Sequence, residues 1–492
     1  MNAPLNILFV TPECAPWVKT GGLGDVCGAL PQALTALGHE VRVLIPMFEA
    51  LAPLAPRAQQ SIELPAHGPW PAASLRLVQE NGVMLWLLDC PDLYNRPRGP
   101  YLDSQGQDFS DNAERFAFLS HVAASLSSTQ SPSHDWTVDV LHGHDWTVGL
   151  APAYLQQDAG RNAVSVMTIH NLLFQGPFPV ELAPRLDIPA SWLTVEEGLL
   201  HWDRINFLKA GLRHADMITT VSPTYAREIQ GEAQGCGLDG MLRLRSRDLV
   251  GILNGIDTSV WQPATDPLIA ATYDAAHIAQ GKALNKAALQ QRMGLTVDPQ
   301  AMLLGLVSRM SSQKGIELVL EGLPVLMTMG CQLCVLGTGD KALEEALLQA
   351  SGNYPGDMAV HIGFSEELAH LIEAGSDAFL MPSLFEPCGL NQMYSQAYGT
   401  PPIVRAVGGL SDSVIDDIDG TGTGFMFDEA ITPAFLQAVQ RAKATFDTPD
   451  RWQSLQQRAM ARDNGWAVSA RHYVQVYEAA LVRHRVTRPP AA

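Results

Sequence analysis

Basic residues are scarce in this chain relative to acidic ones. Its 492 residues include 32 Lys and Arg against 51 Asp and Glu, which gives a formal net charge of −19. Because an acidic surface repels phosphodiester backbones, this composition disfavours general nucleic-acid binding. An anionic ligand would therefore need a local cationic site within the negative field of the whole chain.

Long apolar runs and a disulfide framework are also missing. No run approaches the ~18 apolar residues of a membrane span, and Met1–Val10 lacks the basic region that opens a signal peptide. The seven cysteines are odd in number and scattered. Cys331 and Cys334 have CxxC spacing but lie in a hydrophobic strand without a second pair, so we interpret them as buried core. These features lead us to expect a protein of the reducing cytoplasm.

Apolar residues, by contrast, are plentiful. The chain is 47% hydrophobic and 17% charged, which excludes an intrinsically disordered protein. At ~150 residues per domain, the length allows about three domains. The candidate strands of the first half are Ile7–Val10, Val41–Ile45, Met84–Leu88, Val138–Leu141, Val164–Ile169 and Met217–Val221. Those of the second half are Leu303–Val307, Leu333–Leu336, Val360–Ile362, Ala378–Met381 and Ile403–Arg405.

Strands and helices alternate along the chain. The first strand, a helix from about Asp25 to Leu37 and the next strand form a βαβ unit, which implies parallel strands. We predict two doubly wound α/β domains, 1–255 and 256–465, followed by a C-terminal segment, 466–492. A short surface helix, Asn285–Met293, is expected to open the second half. In open α/β sheets ligands bind outside the carboxyl ends of strands, so candidate residues are sought there.

A glycine-rich loop, Lys19–Asp25, follows the first strand and opens a helix. Glycines such as Gly21 and Gly22 let backbone N–H groups approach a phosphate, and Lys19 would add a full positive charge. The loop matches neither GxGxxG nor GxxxxGK[ST], so it carries no nicotinamide or P-loop fingerprint. A packing role for the glycines is the alternative.

Two further strand ends carry polar residues. Asp145 ends one strand and is well placed to bind sugar hydroxyls. His142 and His144 alternate onto one face of that strand, a spacing that could suit a metal. No third ligand is identifiable, so we prefer a polar strand end and predict no metal site. His170, with Asn171 beside it, follows another apolar strand, which favours the rim of an active site.

The second half contributes a pair of cations and an acidic motif. Arg309 and Lys314 lie at a strand–helix junction, where a planar donor fork and a point charge suit a diphosphate; solvated surface cations are the alternative. Glu386 precedes Pro387, which suits the first turn of a helix expected to run through about Tyr398. A simple helix cap is the alternative for this motif. The N–H groups that would point at a ligand beside Glu386 belong to Cys388, Gly389 and Leu390.

Together these motifs resemble the bacterial glycogen synthase and plant starch synthase family. The matching stretches span nearly the whole chain in the family's order: Lys19–Val26, Asp108–Arg115, His144–Trp146, Thr168–Gly176, Asn254–Pro263, Arg309–Gly315, Gly337–Asp340, Glu386–Leu390 and Tyr398–Leu410. A single one of these motifs is weak, but the ordered series is specific.

The resemblance implies an α/β protein of the GT-B fold, with two Rossmann-like, doubly wound parallel-sheet domains facing across a deep cleft. The segment 466–492 would return as a helix to the N-terminal domain. The implied reaction transfers glucose from ADP-glucose to the non-reducing end of an α-1,4-glucan such as glycogen, with retention of anomeric configuration. No cofactor, nucleic acid or membrane is implied as a partner.

The resemblance also implies residue roles. Arg309 and Lys314 would hold the donor diphosphate, and Glu386 with the amides after it would bind glucose hydroxyls. Asn391 stands where we expect Thr in many relatives, which affects fine donor contacts alone. The residues implied at the donor from the N-terminal domain are Lys19, Gly21, Gly22 and, near the nucleotide, Asn254. Those implied beside the transferred glucose or at its rim are Asp145, His170, Tyr101 and Asn171.

Three other functions remain as alternatives. A dinucleotide-dependent oxidoreductase would share the fold class, but its phosphate fingerprint is missing. A catalytically silent glucan-binding protein should have lost its charged cleft residues, which are present here. A related transferase could use another nucleotide sugar or acceptor, and the sequence does not decide between ADP-glucose and UDP-glucose or set the oligomeric state.

Overall fold

The computed structural model of the chain describes residues 3–97, 99–196 and 198–487, and it divides into two compact units. Unit 1 comprises the residues up to Gly255 together with those from Trp466 onward, and unit 2 comprises Ile256–Gly465. The predicted segment 466–492 extends beyond the described part of the chain, because residues 488–492 lie outside it.

Unit 1 is organised around a mostly parallel sheet. Its strands are β1 Asn6–Val10, β2 Glu40–Pro46, β3 Gln60–Leu64, β4 Ala73–Glu80, β5 Val83–Asp89, β6 Val140–His144, β7 Val164–Ile169, β8 Pro177–Phe178, β9 Leu200–His201, β10 Arg204–Asn206, β11 Met217–Thr220 and β12 Leu249–Gly251. The main sheet has the order β12-β11-β7-β6-β1-β2-β5-β4-β3, with antiparallel pairing at β3–β4 and β4–β5. Strands β8, β10 and β9 form a small antiparallel sheet.

Unit 2 is built on a sheet whose pairs are all parallel. Its strands are β13 Met302–Val307, β14 Cys331–Gly337, β15 Met358–Ile362, β16 Ala378–Met381, β17 Pro402–Arg405 and β18 Phe425–Phe427. Their order is β15-β14-β13-β16-β17-β18, the doubly wound order of a Rossmann sheet. The order reverses between β13 and β16, and the corresponding reversal in unit 1 lies between β1 and β6. Ligands of such sheets bind at the carboxyl ends of the strands on either side of the reversal.

Helices connect these strands. They are α1 Gly22–Ala36, α2 Pro91–Tyr94, α3 Asn112–Leu126, α4 Ala151–Gln156, α5 Phe207–His214, α6 Pro223–Glu228, α7 Asp239–Leu244, α8 Ile278–Met293, α9 Ile316–Thr328, α10 Lys341–Asn353, α11 Glu366–Gly375, α12 Asn391–Ala397, α13 Gly408–Ser413, α14 Thr432–Phe446, α15 Pro449–Met460 and α16 Trp466–Thr487. None of the helices in the described ranges combines the length and apolar character needed to span a bilayer.

Both faces of the unit 2 sheet are covered, as its continuous apolar strands require. Along β13, Leu304 and Leu306 point to a core shared with α9 and α14, while Leu303 points to a second core shared with α8 and α11. In unit 1, α16 packs against the sheet through the fully buried rings of Tyr473 and Tyr477. Both cysteines of the CxxC sequence are buried in β14, as predicted.

Several predicted boundaries were wrong. The expected short surface helix Asn285–Met293 is the end of α8, which begins at Ile278 and buries Asn285 completely. Asn285 can be buried because its amide accepts the N–H of Ala270 and donates to the carbonyls of Ala271 and Gly281. Strands β3 and β4, and the last strand β18, were not predicted.

Candidate active site

The site in unit 1 lies at the carboxyl ends of β1 and β6. After β1 the chain runs through the glycine-rich loop, and α1 begins at Gly22 rather than at the predicted Asp25. Gly21 precedes the helix in an extended conformation, with no side chain capping the helix start. Apart from Gly21 and its two neighbours in the chain, no described residue has an atom within 4 Å of the position that a Cβ at Gly21 would take. The side of Gly21 on which a side chain would lie is therefore open.

Glu13 organises this loop, and sequence reasoning missed it. The side chain is buried, with 3% of its surface exposed. Its Oε2 accepts the N–H groups of Thr20 at 2.6 Å and Gly21 at 3.3 Å. Its Oε1 accepts the hydroxyls of Thr20 at 2.6 Å and Tyr101 at 2.7 Å. The available signal was an acidic residue three positions after the first apolar strand.

Lys19 is engaged within the loop itself. Its Nζ lies 2.7 Å from Oδ1 of Asp25, and the two side chains are 38% and 27% exposed. A partly exposed pair of this kind contributes about 0–1 kcal/mol. Lys19 can therefore exchange this partner for a phosphate at small cost.

Asp145 occupies the turn that follows β6. Its φ is +56°, a left-handed conformation that costs a non-glycine residue about 1–3 kcal/mol and is concentrated at functional sites. Its Oδ1 accepts the backbone N–H of His170 at 2.7 Å, and its carboxylate also accepts the N–H of Asn171. Burial raises the pKa of Asp145 to about 7 in spite of these two hydrogen bonds. The structure thus brings Asp145, His170 and Asn171 together, although they come from different strand ends.

The histidines of unit 1 form two hydrogen-bonded groups. Nδ1 of His144 lies 2.9 Å from Nε2 of His170, and His142 is hydrogen-bonded through Nε2 to Thr168 and through Nδ1 to Tyr477. Burial lowers the pKa of His142 and of His170 to about 3, and that of His144 well below its usual range. All three rings are therefore neutral. In the described ranges, no group of three or more His, Cys, Asp or Glu residues is arranged to hold a metal.

The site in unit 2 lies at the carboxyl ends of β13 and β16. Arg309 follows β13 and is exposed, and its side chain makes no hydrogen bond or ion pair with any residue that the structure describes. Lys314 behaves differently, because its Nζ lies 2.5 Å from Oε2 of Glu386. The two side chains are 19% and 6% exposed. This ion pair between the two motifs was not predicted.

Glu386 lies in a loop rather than at a helix start. The prediction that Pro387 occupies the first turn of a helix was wrong, because α12 begins at Asn391 and ends at Ala397. The physical reason is the left-handed conformation of Gly389, with φ +70°, which interrupts any helix before that point. The carboxylate is stabilised by Lys314 and by the hydroxyl of Ser383, which donates to Oε2 at 3.0 Å.

Two glycines hold the Glu386 loop in place by close backbone approach. A Cβ at Gly408, where φ is +44°, would lie 1.8 Å from the carbonyl oxygen of Glu386. A Cβ at Gly315, where φ is +66°, would lie 2.0 Å from the carbonyl oxygen of Pro382. No side chain can be accommodated at either position. Asn391 adds a further contact, because its Nδ2 donates to the carbonyl of Val307 at 2.6 Å and joins α12 to the end of β13.

Unpaired polar groups remain in both units. The N–H groups of Gly389 and Leu390 donate to no acceptor within the described part of the chain. In unit 1, Asn254 is buried, and its Oδ1 has no hydrogen-bond partner among the described residues. Cys388, which precedes Gly389 in the loop of unit 2, is buried, with 6% of its surface exposed. A ligand with matching donors and acceptors would satisfy the two N–H groups of this loop and the Oδ1 of Asn254.

Comparison with known protein families matches both halves of the chain. A family model described as the starch synthase catalytic domain matches residues 6–244, and one described as glycosyl transferases group 1 matches residues 291–454. The chain is 53% identical to a glycogen synthase of Paracidovorax citrulli, over 99% of this chain and 97% of that protein. It is 51% identical to a glycogen synthase of Aromatoleum aromaticum, over 97% of each.

Solved structures give the same picture. The catalytic domain of starch synthase IV from Arabidopsis thaliana, bound to ADP and acarbose, superposes with a TM-score of 0.85 and 29% identity. The superposition covers 98% of this chain and 100% of the Arabidopsis chain. A sucrose-phosphate synthase from Thermosynechococcus elongatus, at 17% identity and a TM-score of 0.58, shares the fold.

Proposed function

Because this chain belongs to the glycogen and starch synthase family of GT-B glycosyltransferases, we propose that it transfers glucose from ADP-glucose to the non-reducing end of an α-1,4-glucan. The new linkage is α-1,4, and the anomeric configuration is retained. The ADP and acarbose bound to the Arabidopsis relative support ADP as the nucleotide and an α-glucan as the acceptor.

The observation that carries this proposal is the charge arrangement at the β13–β16 reversal of unit 2. Glu386 is a buried carboxylate whose charge is balanced by Lys314. Arg309 lies close to Lys314 in the sequence, and its side chain has no partner among the described residues. A carboxylate accepts hydrogen bonds from sugar hydroxyls, while Arg and Lys bind a diphosphate. A nucleotide sugar contains both groups. We assign the donor to unit 2, with the amides after Glu386 completing its contacts.

Unit 1 contributes the remaining contacts in this proposal and the acceptor side of the reaction. Lys19 and the turn of Gly21 and Gly22, through the N–H of Gly22, would approach the diphosphate, where the start of a 15-residue helix adds partial positive charge. Asn254 would use its unpaired Oδ1 toward the nucleotide. The residues proposed to flank the transferred glucose and the acceptor are Asp145, His170, Asn171 and Tyr101.

The carboxylates of both sites are engaged as hydrogen-bond acceptors, which favours same-face transfer over double displacement. Glu386 is bound by Lys314 and Ser383, and Asp145 by the backbone N–H groups of His170 and Asn171. Double displacement requires a carboxylate free to attack the anomeric carbon. In the proposed step the acceptor oxygen bonds to the anomeric carbon while the bond between that carbon and the ADP oxygen breaks. The departing phosphate oxygen takes the proton of the acceptor hydroxyl.

The test is a transfer assay with ADP-glucose and UDP-glucose run side by side on glycogen. We expect faster transfer from ADP-glucose, and a loss of several orders of magnitude in kcat for Glu386→Ala, because sugar positioning and charge stabilisation fail together. Arg292→Ala is the matched control, since Arg292 is an exposed cation of unit 2 paired with Glu367. Absence of transfer from either donor, together with NAD binding, would establish an oxidoreductase instead.

A second experiment addresses the stereochemical course. Azide added to Glu386→Ala should yield no β-glucosyl azide, because the native reaction uses no attacking carboxylate. A glucosyl adduct on Glu386 or Asp145, detected by mass spectrometry of the native enzyme, would show double displacement.

The cytoplasmic location expected from the cysteine pattern stays a prediction.

A further inference from the structure

We propose that His144 is a positioning residue that holds His170 in one tautomer, with hydrogen on Nδ1, so that His170 presents an N–H donor to the substrate. The inference rests on the proposed function for the identity of that substrate, a glucosyl unit. The hydrogen-bond arrangement itself is independent of the reaction.

The ring and backbone of His170 are both fixed by neighbours in unit 1. Nε2 of His170 lies 2.9 Å from Nδ1 of His144, and its backbone N–H donates to Asp145 at 2.7 Å. His144 is completely buried, with its ring 4.0 Å from that of Phe9 and 4.2 Å from that of His142. His144 therefore has no freedom to move away from His170.

The direction of this hydrogen bond follows from the other nitrogen of His144. Because both rings are neutral, one nitrogen of the pair must donate and the other must accept. Nε2 of His144 is buried and has no partner among the described residues. If His170 donated, His144 would carry its hydrogen on Nε2, as a buried N–H without an acceptor. Buried N–H groups without partners are rarer than acceptors with unused lone pairs. His144 is therefore the donor, through Nδ1–H.

The consequence for His170 is a defined donor. Its Nε2 accepts from His144, so a neutral ring carries hydrogen on Nδ1. That nitrogen has no partner within the described part of the chain. It is thus available to donate to a substrate oxygen. A histidine without the His144 contact would interchange its tautomers and offer this donor for only part of the time.

Two substitutions separate hydrogen bonding from packing. His144→Leu fills the space but removes the donor, and we expect kcat/KM for ADP-glucose to fall about tenfold, the effect of one neutral hydrogen bond. His144→Asn carries an amide N–H near the position of Nδ1, and we expect it to retain kcat/KM within about threefold. His121→Leu is the control, because His121 is a partly buried histidine of unit 1 that stacks on Trp70. It should have wild-type kcat/KM.

The decisive readout is the ring nitrogen chemical shift of His170 in protein labelled with ¹⁵N-histidine, without substrate, assigned with the His170→Gln variant. We expect a protonated Nδ1 and an unprotonated Nε2 in the wild type, and loss of that pattern in His144→Leu. A protonated Nε2 in the wild type, or equal losses in the Leu and Asn variants, would overturn the proposal. Because this measurement needs no turnover, a failure of the transfer assay would count against the proposed function alone.

Discussion

Removing the Glu13 carboxylate should disable the glycine-rich loop without unfolding the protein. In Glu13→Ala, the N–H groups of Thr20 and Gly21 lose their shared acceptor, and the hydroxyls of Thr20 and Tyr101 lose theirs. Hydroxyls can rotate toward another acceptor, but the two backbone N–H groups cannot. These two N–H groups can reach water only if the backbone moves, so the loop leaves its position at the start of α1.

The expected magnitude follows from those two N–H groups. An unsatisfied buried donor costs about 1–3 kcal/mol, and the lower end applies here because Thr20 and Gly21 are exposed residues that water can reach. The total is about 2–3 kcal/mol, which corresponds to a fall of about 30- to 160-fold in kcat/KM. In Glu13→Gln, the amide oxygen still accepts both N–H groups, and the hydroxyls rotate to accept from its NH₂. We therefore expect a fall of less than about tenfold.

The assay measures kcat/KM for ADP-glucose alongside unfolding in urea. Asp216→Ala is the matched control, because Asp216 also accepts a backbone N–H, that of Ser165 at 2.7 Å, and pairs with Arg161. Asp216 precedes β11 and so lies at the opposite end of the sheet. It should lose stability and keep wild-type kcat/KM. Wild-type kcat/KM in Glu13→Ala would refute the reasoning, since the loop would then act without its anchor.

Four further predictions concern the charges of the two sites. Arg309→Ala should lower kcat/KM at least about tenfold, because a charge-assisted contact to phosphate contributes about 1.5–3 kcal/mol; unchanged kinetics would remove Arg309 from the donor site. Lys314→Met should lose both activity and urea stability, because it leaves Glu386 buried without its cation; a fully stable variant would contradict this. The raised pKa of Asp145, about 7, implies a stabilisation present below its unfolded value near 3.9 and lost as the pH rises through 7. Urea unfolding between pH 5 and 8 should show this loss as a difference between the wild type and Asp145→Asn, because the buried histidines, whose pKa values are lowered, add an opposite trend to both proteins. Transfer should persist in a chelator, and restoration by a divalent cation after its loss would show a metal requirement.

The sequence determined the fold class and the loops in which functional residues are to be sought. Apolar strands alternating with helices indicate doubly wound sheets. Each strand or helix can be recognised from the hydrophobic pattern of a short stretch of sequence. The rule that ligands bind at the carboxyl ends of parallel strands then selects the loops. Arg309, Glu386 and Asp145 were proposed in this way, each from its position after a strand.

Only the tertiary structure decided which of these residues meet. Lys314 pairs with Glu386 because β13 lies beside β16, although two strands separate them along the chain. His144 meets His170 because β6 and β7 pair in register, with His144 opposite Thr168. The start of α12 was misplaced for the same reason, since Gly389 adopts its left-handed conformation within a loop packed against Gly408 and Gly409. Local sequence sets which elements form, but strand order and register set which side chains touch, and these depend on the packing of the whole sheet.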